Sequence, residues 1–354
     1  LEVKDLRPGV DKVFIQSGCG KFNSDSLLPF LVKNEHTGEN GKEYKLNLPQ
    51  NWTKELGQVL GWLVGDGWLR DGDRNCRVGF TFSQDDKEIL SYLKPIINGF
   101  YGADIKEVIR ENNVYHLSYH SKYFIEFFKA LGVKAVQSDE KEVPHTLFMA
   151  TEDAAIGFLQ GLFTADGTIG IQDVNNTTYI RLTAKSSKLL KGIQLLLLNF
   201  GIKSKIYDRS RQERKGFEYT ARNGEKRTYK LDGKLFELSV SRDAVPLFLD
   251  KVGFLVNKHS LKIEKLLCRR YYHVCFEEAI KSVELSGEQE VYDLTEPETL
   301  TFITNGFISR DCGEQPLLPY ESCNLGSVNL FALLQDAGDH YELDWDRLKE
   351  VVRL

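Results

Sequence analysis

Two aspartates 100 residues apart, Asp66 and Asp166, close two segments of the same grammar, Val59-Leu60-Gly61-Trp62-Leu63-Val64-Gly65-Asp66-Gly67 and Leu159-Gln160-Gly161-Leu162-Phe163-Thr164-Ala165-Asp166-Gly167. Each is an apolar helical run ending in Asp-Gly, so the chain carries a duplicated element with one carboxylate per copy. Small residues recur every four positions, at Gly57, Gly61 and Gly65 and at Gly157, Gly161 and Ala165, which places them on one helical stripe. Such stripes let two backbones approach, and close packing offsets the roughly 1 kcal/mol that an interior glycine costs a helix. If the stripes face each other, Asp66 and Asp166 lie side by side at the helix ends. Adjacent carboxylates repel unless a cation lies between them, and a shared divalent metal is the natural occupant. Taken singly, each segment also reads as a helix-ending turn on a solvated edge; the repetition favours the paired reading.

Charge shows what surrounds this pair. The whole chain is formally −5, yet residues 51–275 hold 34 Lys and Arg against 27 Asp and Glu, leaving 12 against 24 elsewhere. The basic excess peaks between Lys203 and Lys230, where Lys203, Lys205, Arg209, Arg211, Arg214, Lys215, Arg222, Lys226, Arg227 and Lys230 interleave with Tyr207, Phe217, Tyr219 and Tyr229. Alternation in 203–207 and 228–231 predicts strands of one hairpin with a basic face. A ribbon of this kind fits the major groove of DNA, where Arg and Lys reach phosphates and guanine edges; a solvated polar hairpin is the plainer alternative.

The remaining composition points to a soluble, cytoplasmic protein of two or three domains. In 354 residues, 42 % of them hydrophobic, no apolar run approaches the ~20 residues that span a membrane, and no secretory signal is legible at the start. The six cysteines, Cys19, Cys76, Cys268, Cys275, Cys312 and Cys323, show no CxxC spacing. His116 and His120 stand four apart, but their segment alternates as a strand does, so polar-face histidines are expected there rather than a metal pair.

The duplicated segments resemble the paired motifs of LAGLIDADG homing endonucleases, over roughly residues 52 to 275. The resemblance implies an α+β fold in which two αββαββα repeats form a pseudo-twofold pair, acting as a monomer on double-stranded DNA with Mg²⁺. It implies metal binding and catalysis at Asp66 and Asp166; the motif's earlier acidic position is Val64 in one copy and Thr164 in the other. Lys141-Glu142-Val143-Pro144 is similar to a block that precedes the second motif, and Leu182-Thr183-Ala184-Lys185-Ser186 to one that follows it. Lys141 and Lys185 are therefore candidates to polarise the attacking water or to offset charge on the phosphate.

The ends have another character. Residues 3–15, with a Pro8-Gly9 turn, and the pair Gln289–Thr295 and Thr301–Ser309, with Glu296-Pro297-Glu298 and Asn305-Gly306 turns, read as pieces of a small all-β module. The latter pair resembles the C-terminal splicing blocks of inteins, a Hint-type β domain. That resemblance implies a supporting role for Asp293 and puts the splice junction at Asp311-Cys312. It departs from the pattern at Leu300, Arg310 and Asp311, where a helper His, a penultimate His and a terminal Asn are usual. Arginine cannot shuttle a proton at neutral pH, and an aspartate must act through its carboxylate. The initial Cys or Ser and the Thr-x-x-His block of inteins have no counterpart, so the chain is expected to lack an N-terminal part of the splicing domain and to need it as a partner.

From Cys312 to Leu330 the sequence resembles the active-site loop of adenosylcobalamin-dependent ribonucleotide reductases. This implies a thiyl-radical cysteine at Cys312, an acid/base at Glu314 and a reducing thiol at Cys323. With only 43 residues from Cys312 to the end, reductase chemistry and its cobalamin belong to a complete spliced host. The expected organisation is thus a splicing-domain remnant (1–50), an endonuclease (51–275, repeats about 51–145 and 150–275), the C-terminal splicing part (276–311) and a reductase fragment (312–354). The expected activity is metal-dependent double-strand cleavage of the uninterrupted reductase gene. The alternatives are a splicing element whose nuclease has decayed and a silent DNA-binding remnant.

Overall fold

The computed structural model describes residues 3–37, 43–72, 75–110, 113–172, 177–211, 214–220, 226–231, 233–256, 258–290, 299, 301–310, 333–336 and 341–352. It divides into two units: residues 1–282 with 305–307, and residues 283–304 with 308–354. In the first unit the short strands β1 (Lys12–Phe14), β2 (Glu35–Thr37) and β3 (Glu43–Lys45) lead into two repeats.

The first repeat runs α1 (Lys54–Asp66), β4 (Gly67–Arg70), β5 (Arg77–Phe82), α2 (Lys87–Tyr101), β6 (Val108–Ile109), β7 (Tyr115–Tyr119) and α3 (Lys122–Ala130). The second runs α4 (Glu152–Asp166), β8 (Gly167–Gln172), β9 (Thr177–Ala184), α5 (Ser187–Leu198) and β10 (Ser204–Asp208). A hairpin of β11 (Arg214–Thr220) and β12 (Lys226–Leu231) precedes its last members, β13 (Phe236–Ser241) and α6 (Ala244–Lys251). The helix α7 (Ser260–Leu267) and strand β14 (Glu277–Ala279) follow. Set the hairpin aside and the two repeats have one topology, αββαββα, with antiparallel sheets ordered β4-β5-β7-β6 and β8-β9-β13-β10. The fold is mixed α/β, the coarse class of the α+β arrangement that the resemblance implies.

Local chemistry starts both motif helices alike. Thr53 and Thr151 cap α1 and α4, their hydroxyls accepting from Leu56 N at 3.1 Å and Ala154 N at 3.4 Å. Period-two alternation then sorts each strand into faces: Val78, Phe80 and Phe82 with Leu117 and Tyr119 are buried in one repeat, and Ile180 and Leu182 with Leu238 and Val240 in the other. Trp62 of α1 is fully buried, stacked 4.9 Å from Phe82, and donates its indole N–H to Thr81 O at 3.1 Å. Burial of these aromatics against the helices dominates the core.

Residues 203–207 and 228–231 do not pair as the single predicted hairpin. β10 pairs with β13, and β12 with β11. The reason is burial: the β10–β13 register sets Ile206 opposite the buried Leu238 and Ser204 opposite Val240, an arrangement that extends the sheet over the core.

Segments far apart in sequence close the unit. β1 pairs with β14, Ile15 bridges Phe307, and Gln16 N donates to Gly306 O at 2.9 Å. Asn305 and Gly306 both hold positive φ, 49° and 82°, as the two-residue hairpin turn demands. β15 (Thr301–Thr304) and β16 (Phe307–Arg310) form a two-stranded sheet. β17 (Leu334–Asp336) pairs with β18 (Tyr341–Leu343), and α8 (Trp345–Val352) follows. No helix among the described residues is long and apolar enough to cross a membrane.

Candidate active site and nucleic-acid face

The small-residue stripes meet. A Cβ placed on Gly57 would strike the Ala154 carbonyl and lie 2.9 Å from Phe158 N; one on Gly157 would strike the Lys54 carbonyl and lie 3.1 Å from Gln58 N. Gly61 and Gly161 repeat this relation, each one's Cβ falling 2.8 and 2.9 Å from Leu162 N and Trp62 N. The contacts of one helix are those of the other shifted by the repeat, so α1 and α4 form a backbone-to-backbone seam with pseudo-twofold symmetry. Midway, Gln58 Nε2 donates to Gln160 Oε1 at 2.9 Å, and Tyr92 OH donates to Gln58 Oε1 at 2.7 Å. At the end of the seam a Cβ on Gly65 would lie 2.7 Å from Ala165 Cβ and 3.3 Å from Asp166 Oδ2.

The seam therefore delivers Asp66 and Asp166, the last residues of α1 and α4, to the same place. Both stand at helix C-termini, where the backbone dipole already favours cations. Asp66 is half-buried and its pKa is pushed up to about 7, first by burial and then by the charges of Asp166 and Asp86. Asp166 keeps an open side to solvent, and the protein packed around it also holds its pKa above the ordinary value. Two lysines answer this negative field. Lys141 Nζ donates to Val64 O at 2.6 Å, Gly65 O at 2.9 Å and Gly67 O at 3.4 Å, closing the end of α1. Lys258 Nζ donates to Thr164 O at 2.6 Å and to Asp86 Oδ1 at 2.8 Å, closing the end of α4.

Lys258 carries no motif and escapes a reading of the sequence. Its only signal is position, a loop lysine after the last helix of the second repeat, as Lys141 follows the last helix of the first. Thr164 holds that loop: its hydroxyl accepts from Leu255 N at 2.8 Å and donates to Gln160 O at 2.6 Å. Lys185 lies in the bend that follows β9, and the lysine charges that act on both carboxylates are those of Lys141 and Lys258.

Among the described residues no group of three His, Cys, Asp or Glu side chains converges. The donor set is two carboxylates, which suits Mg²⁺: that ion is commonly held by one or two carboxylates, with water and substrate phosphate completing its shell.

Each sheet presents a polar face opposite its core face. In the first repeat Arg70 lies 5.6 Å from the Trp68 ring, and Trp68 in turn covers Gly79, where a Cβ would meet its Nε1 at 2.7 Å. Tyr179 covers Gly170 in the second, with Arg181 5.6 Å from its ring. Arg209 stacks on Tyr207 at 4.9 Å, and Glu237 joins Arg209 at 3.1 Å to Arg181 at 3.5 Å. His116 lies on the polar face of the first sheet, half-buried, its pKa lowered by burial and then by Arg110. These arginines lie outside the run 203–230 except Arg209; the signal that finds them is polar alternation within otherwise apolar strands.

The run itself is split by the fold. Lys203 is largely buried, paired with Glu278 at 2.8 Å and donating to Cys275 O and Glu277 O, so it fastens the returning chain. Lys205 reaches the same Glu278 at 3.4 Å. Arg211 is exposed after β10; Arg214 and Lys215 stand in β11 and Lys226, Arg227 and Lys230 in β12, while Arg222 lies outside the described residues. Asp293, Asp311, Cys312, Glu314 and Cys323 also lie outside them, and Arg310 ends β16. Cys19, Cys76, Cys268 and Cys275 are free thiols.

Comparison with known proteins agrees with this geometry in its second half. Residues 153–253 match the family described as the LAGLIDADG-like domain. The chain is 25 % identical over 239 residues to the ribonucleoside-diphosphate reductase NrdEB subunit alpha of Bacillus subtilis, which covers 61 % of this chain and 22 % of that protein. It is 65 % identical over 40 residues, 11 % of this chain and 5 % of the relative, to the vitamin B12-dependent ribonucleoside-diphosphate reductase of Mycobacterium tuberculosis. The chain thus spans about a fifth of the length of the first of these relatives. Among solved structures, a variant of the homing endonuclease I-DmoI matches with a TM-score of 0.40 at 16 % identity, covering 60 % of this chain and 97 % of that one. The stretch similar to the LAGLIDADG-like domain, 153–253, runs from the first turn of α4 past the end of α6: the second repeat, with its aspartate, its sheet and its hairpin.

Proposed function

We propose that this chain is a metal-dependent DNA endonuclease of the LAGLIDADG homing type. Its flanking segments belong to an intein-like splicing domain inserted in a ribonucleotide reductase. The carrying observation is the convergence of Asp66 and Asp166 at the end of an interlocked glycine seam, between Lys141 and Lys258. The two carboxylates would hold Mg²⁺, which supplies charge stabilisation at a phosphate and a more acidic water. The chain's own residues do the rest. The seam fixes the carboxylate separation, the buried surroundings keep Asp66 basic enough to favour a cation over free ionisation, and the two ammonium groups offset charge on the phosphates as they approach. The polar sheet faces, with Arg70, Arg181 and Arg209 held on aromatic rings, present guanidinium groups to the major groove and the phosphates. The hairpin β11–β12 carries Arg214, Lys215, Lys226, Arg227 and Lys230 in its sequence, a basic composition that suits a polyanionic partner.

The pairing of residues 12–15 with 277–279 and 307 supports the splicing-domain reading, because the endonuclease repeats then lie between two segments that belong together. The likenesses to reductases support the target, a reductase gene whose coding sequence runs uninterrupted into that for Cys312-Gly313-Glu314. The protein is incubated with Mg²⁺ and a supercoiled plasmid carrying that sequence. Linearisation that disappears in Asp66→Asn and Asp166→Asn is expected; an intact plasmid, or cleavage indifferent to both changes, overturns the proposal.

A further inference from the structure

The two halves of the site are not equivalent, and the difference is one carboxylate. The N-terminal turn before α2 and that of α5 occupy corresponding places, with Ser83 and Ser186 as their caps. Each reaches the lysine of the other repeat. Ser186 Oγ donates to the backbone carbonyl of Lys141 at 2.6 Å. Three residues after Ser83 stands Asp86, where Leu189 stands three after Ser186. Asp86 is only 6 % exposed; its Oδ2 accepts from Ser83 N at 3.2 Å and from the Ser83 hydroxyl, which leaves Oδ1 aimed at Lys258 Nζ, 2.8 Å away. Lys141 is held by backbone carbonyls, and no ion pair to it occurs among the described residues.

Resting on the endonuclease reading above, we infer that Asp86 is a positioning residue that tethers Lys258 and makes the two strand-cutting halves unequal. A carbonyl dipole leaves an ammonium its full charge, whereas a buried carboxylate at ion-pair distance cancels much of it toward a third group. A phosphate approaching either lysine meets the charges of Asp66 and Asp166, but at Lys258 it must also compete with the ion-paired Asp86, whereas at Lys141 the groups in direct contact are carbonyls. The strand served by Lys141 is therefore cut first, and a nicked duplex whose intact strand is the one served by Lys258 accumulates.

Two readouts test this on the full chain. In the first, a duplex carrying the target is labelled on each strand in turn, and the nicking rates are measured for the wild type, Asp86→Asn and Lys141→Met. The wild type is expected to cut one strand about tenfold faster, and Lys141→Met to lose that faster cut. Asp86→Asn, which preserves an oxygen for Ser83, is expected to speed the slower strand toward the faster one while leaving the faster within twofold; Asp86→Glu should restore the inequality. The second readout needs no cleavage. Binding to the same duplex in Ca²⁺ is followed against salt, and release of Lys258 to a phosphate should steepen the slope of log affinity on log salt by about 0.9 in Asp86→Asn. Equal strand rates in the wild type, an equal loss on both strands in Asp86→Asn, or an unchanged salt slope would each overturn the inference. Failure to cut by any variant, with the salt slope steepened as expected, would overturn the endonuclease reading and leave the Asp86 tether standing.

Discussion

Replacing Gly61 by alanine adds one methyl group to the middle of the α1–α4 seam, and the structure sets what that must cost. The new Cβ would strike the Phe158 carbonyl and lie 2.8 Å from Leu162 N. Both are backbone of an ordered helix and neither can rotate away. Ordinary heavy-atom contact begins near 3.5 Å, so the helices must part by about 0.7 Å or more. Overpacking of this kind costs about 1–3 kcal/mol, against up to ~1 kcal/mol that alanine gains over glycine in a helix interior. Subtracting the full alanine gain leaves a net loss of about 0–2 kcal/mol in stability, where an unobstructed helical site would gain. Catalysis should suffer more, because Asp66 lies five residues on and displacement approaching 1 Å costs on the order of 10²-fold. Gly99 in α2 provides the control: it is helical, exposed and has no atom within 4 Å of its virtual Cβ, so Gly99→Ala should stabilise by about 0.5–1 kcal/mol with activity unchanged. Thermal melting and plasmid cleavage of both variants decide the matter. If Gly61→Ala is as stable as Gly99→Ala and cuts as fast as the wild type, the seam does not position the carboxylates.

Asp66 makes metal-free stability depend on pH. Its carboxyl titrates at about 7 in the folded chain but near 4 when unfolded, so between those values the folded chain holds the extra proton. Stability from this group is full below about pH 4 and falls as pH rises through about 7. Melting curves from pH 5 to 8 should show this decline in the wild type and its reduction in Asp66→Asn. Lys203→Met should lower the melting temperature by loosening the Glu278 return strand while barely changing the salt slope of DNA binding. Arg209→Ala should weaken that binding several-fold and relax base preference at one or two positions, read by competition among randomised targets. Thr164→Val removes the hydroxyl that holds the Lys258 loop, and cleavage should drop about tenfold or more with DNA affinity nearly constant.

What the sequence discloses and what it hides follow from how local each signal is. The glycine stripes and the twin aspartates are periodic within one helix and repeated, so the contacts of Gly57, Gly61, Gly157 and Gly161 are legible in the sequence itself. Strand pairing is not local: residues 203–207 look like half of a nearby hairpin, yet β10 finds its partner in β13 because Ile206 must lie beside Leu238 over the core. Lys258 and Asp86 meet across 172 residues, a contact without any short pattern. Lys203 misleads for the opposite reason. It stands in a basic run that suits DNA, but its ammonium turns inward to Glu278 and the carbonyls of the chain that returns beneath it.

The proposed function requires that Asp66 and Asp166 form one cation site rather than two independent helix ends. Titration of Mn²⁺ into the wild type, Asp66→Asn, Asp166→Asn and the double variant, followed by the loss of the free-ion resonance signal, tests it as a thermodynamic cycle. A shared ion predicts that each single change loses nearly as much affinity as the double, a strongly non-additive cycle. Additive losses, or binding unchanged in all three variants, would contradict a common site.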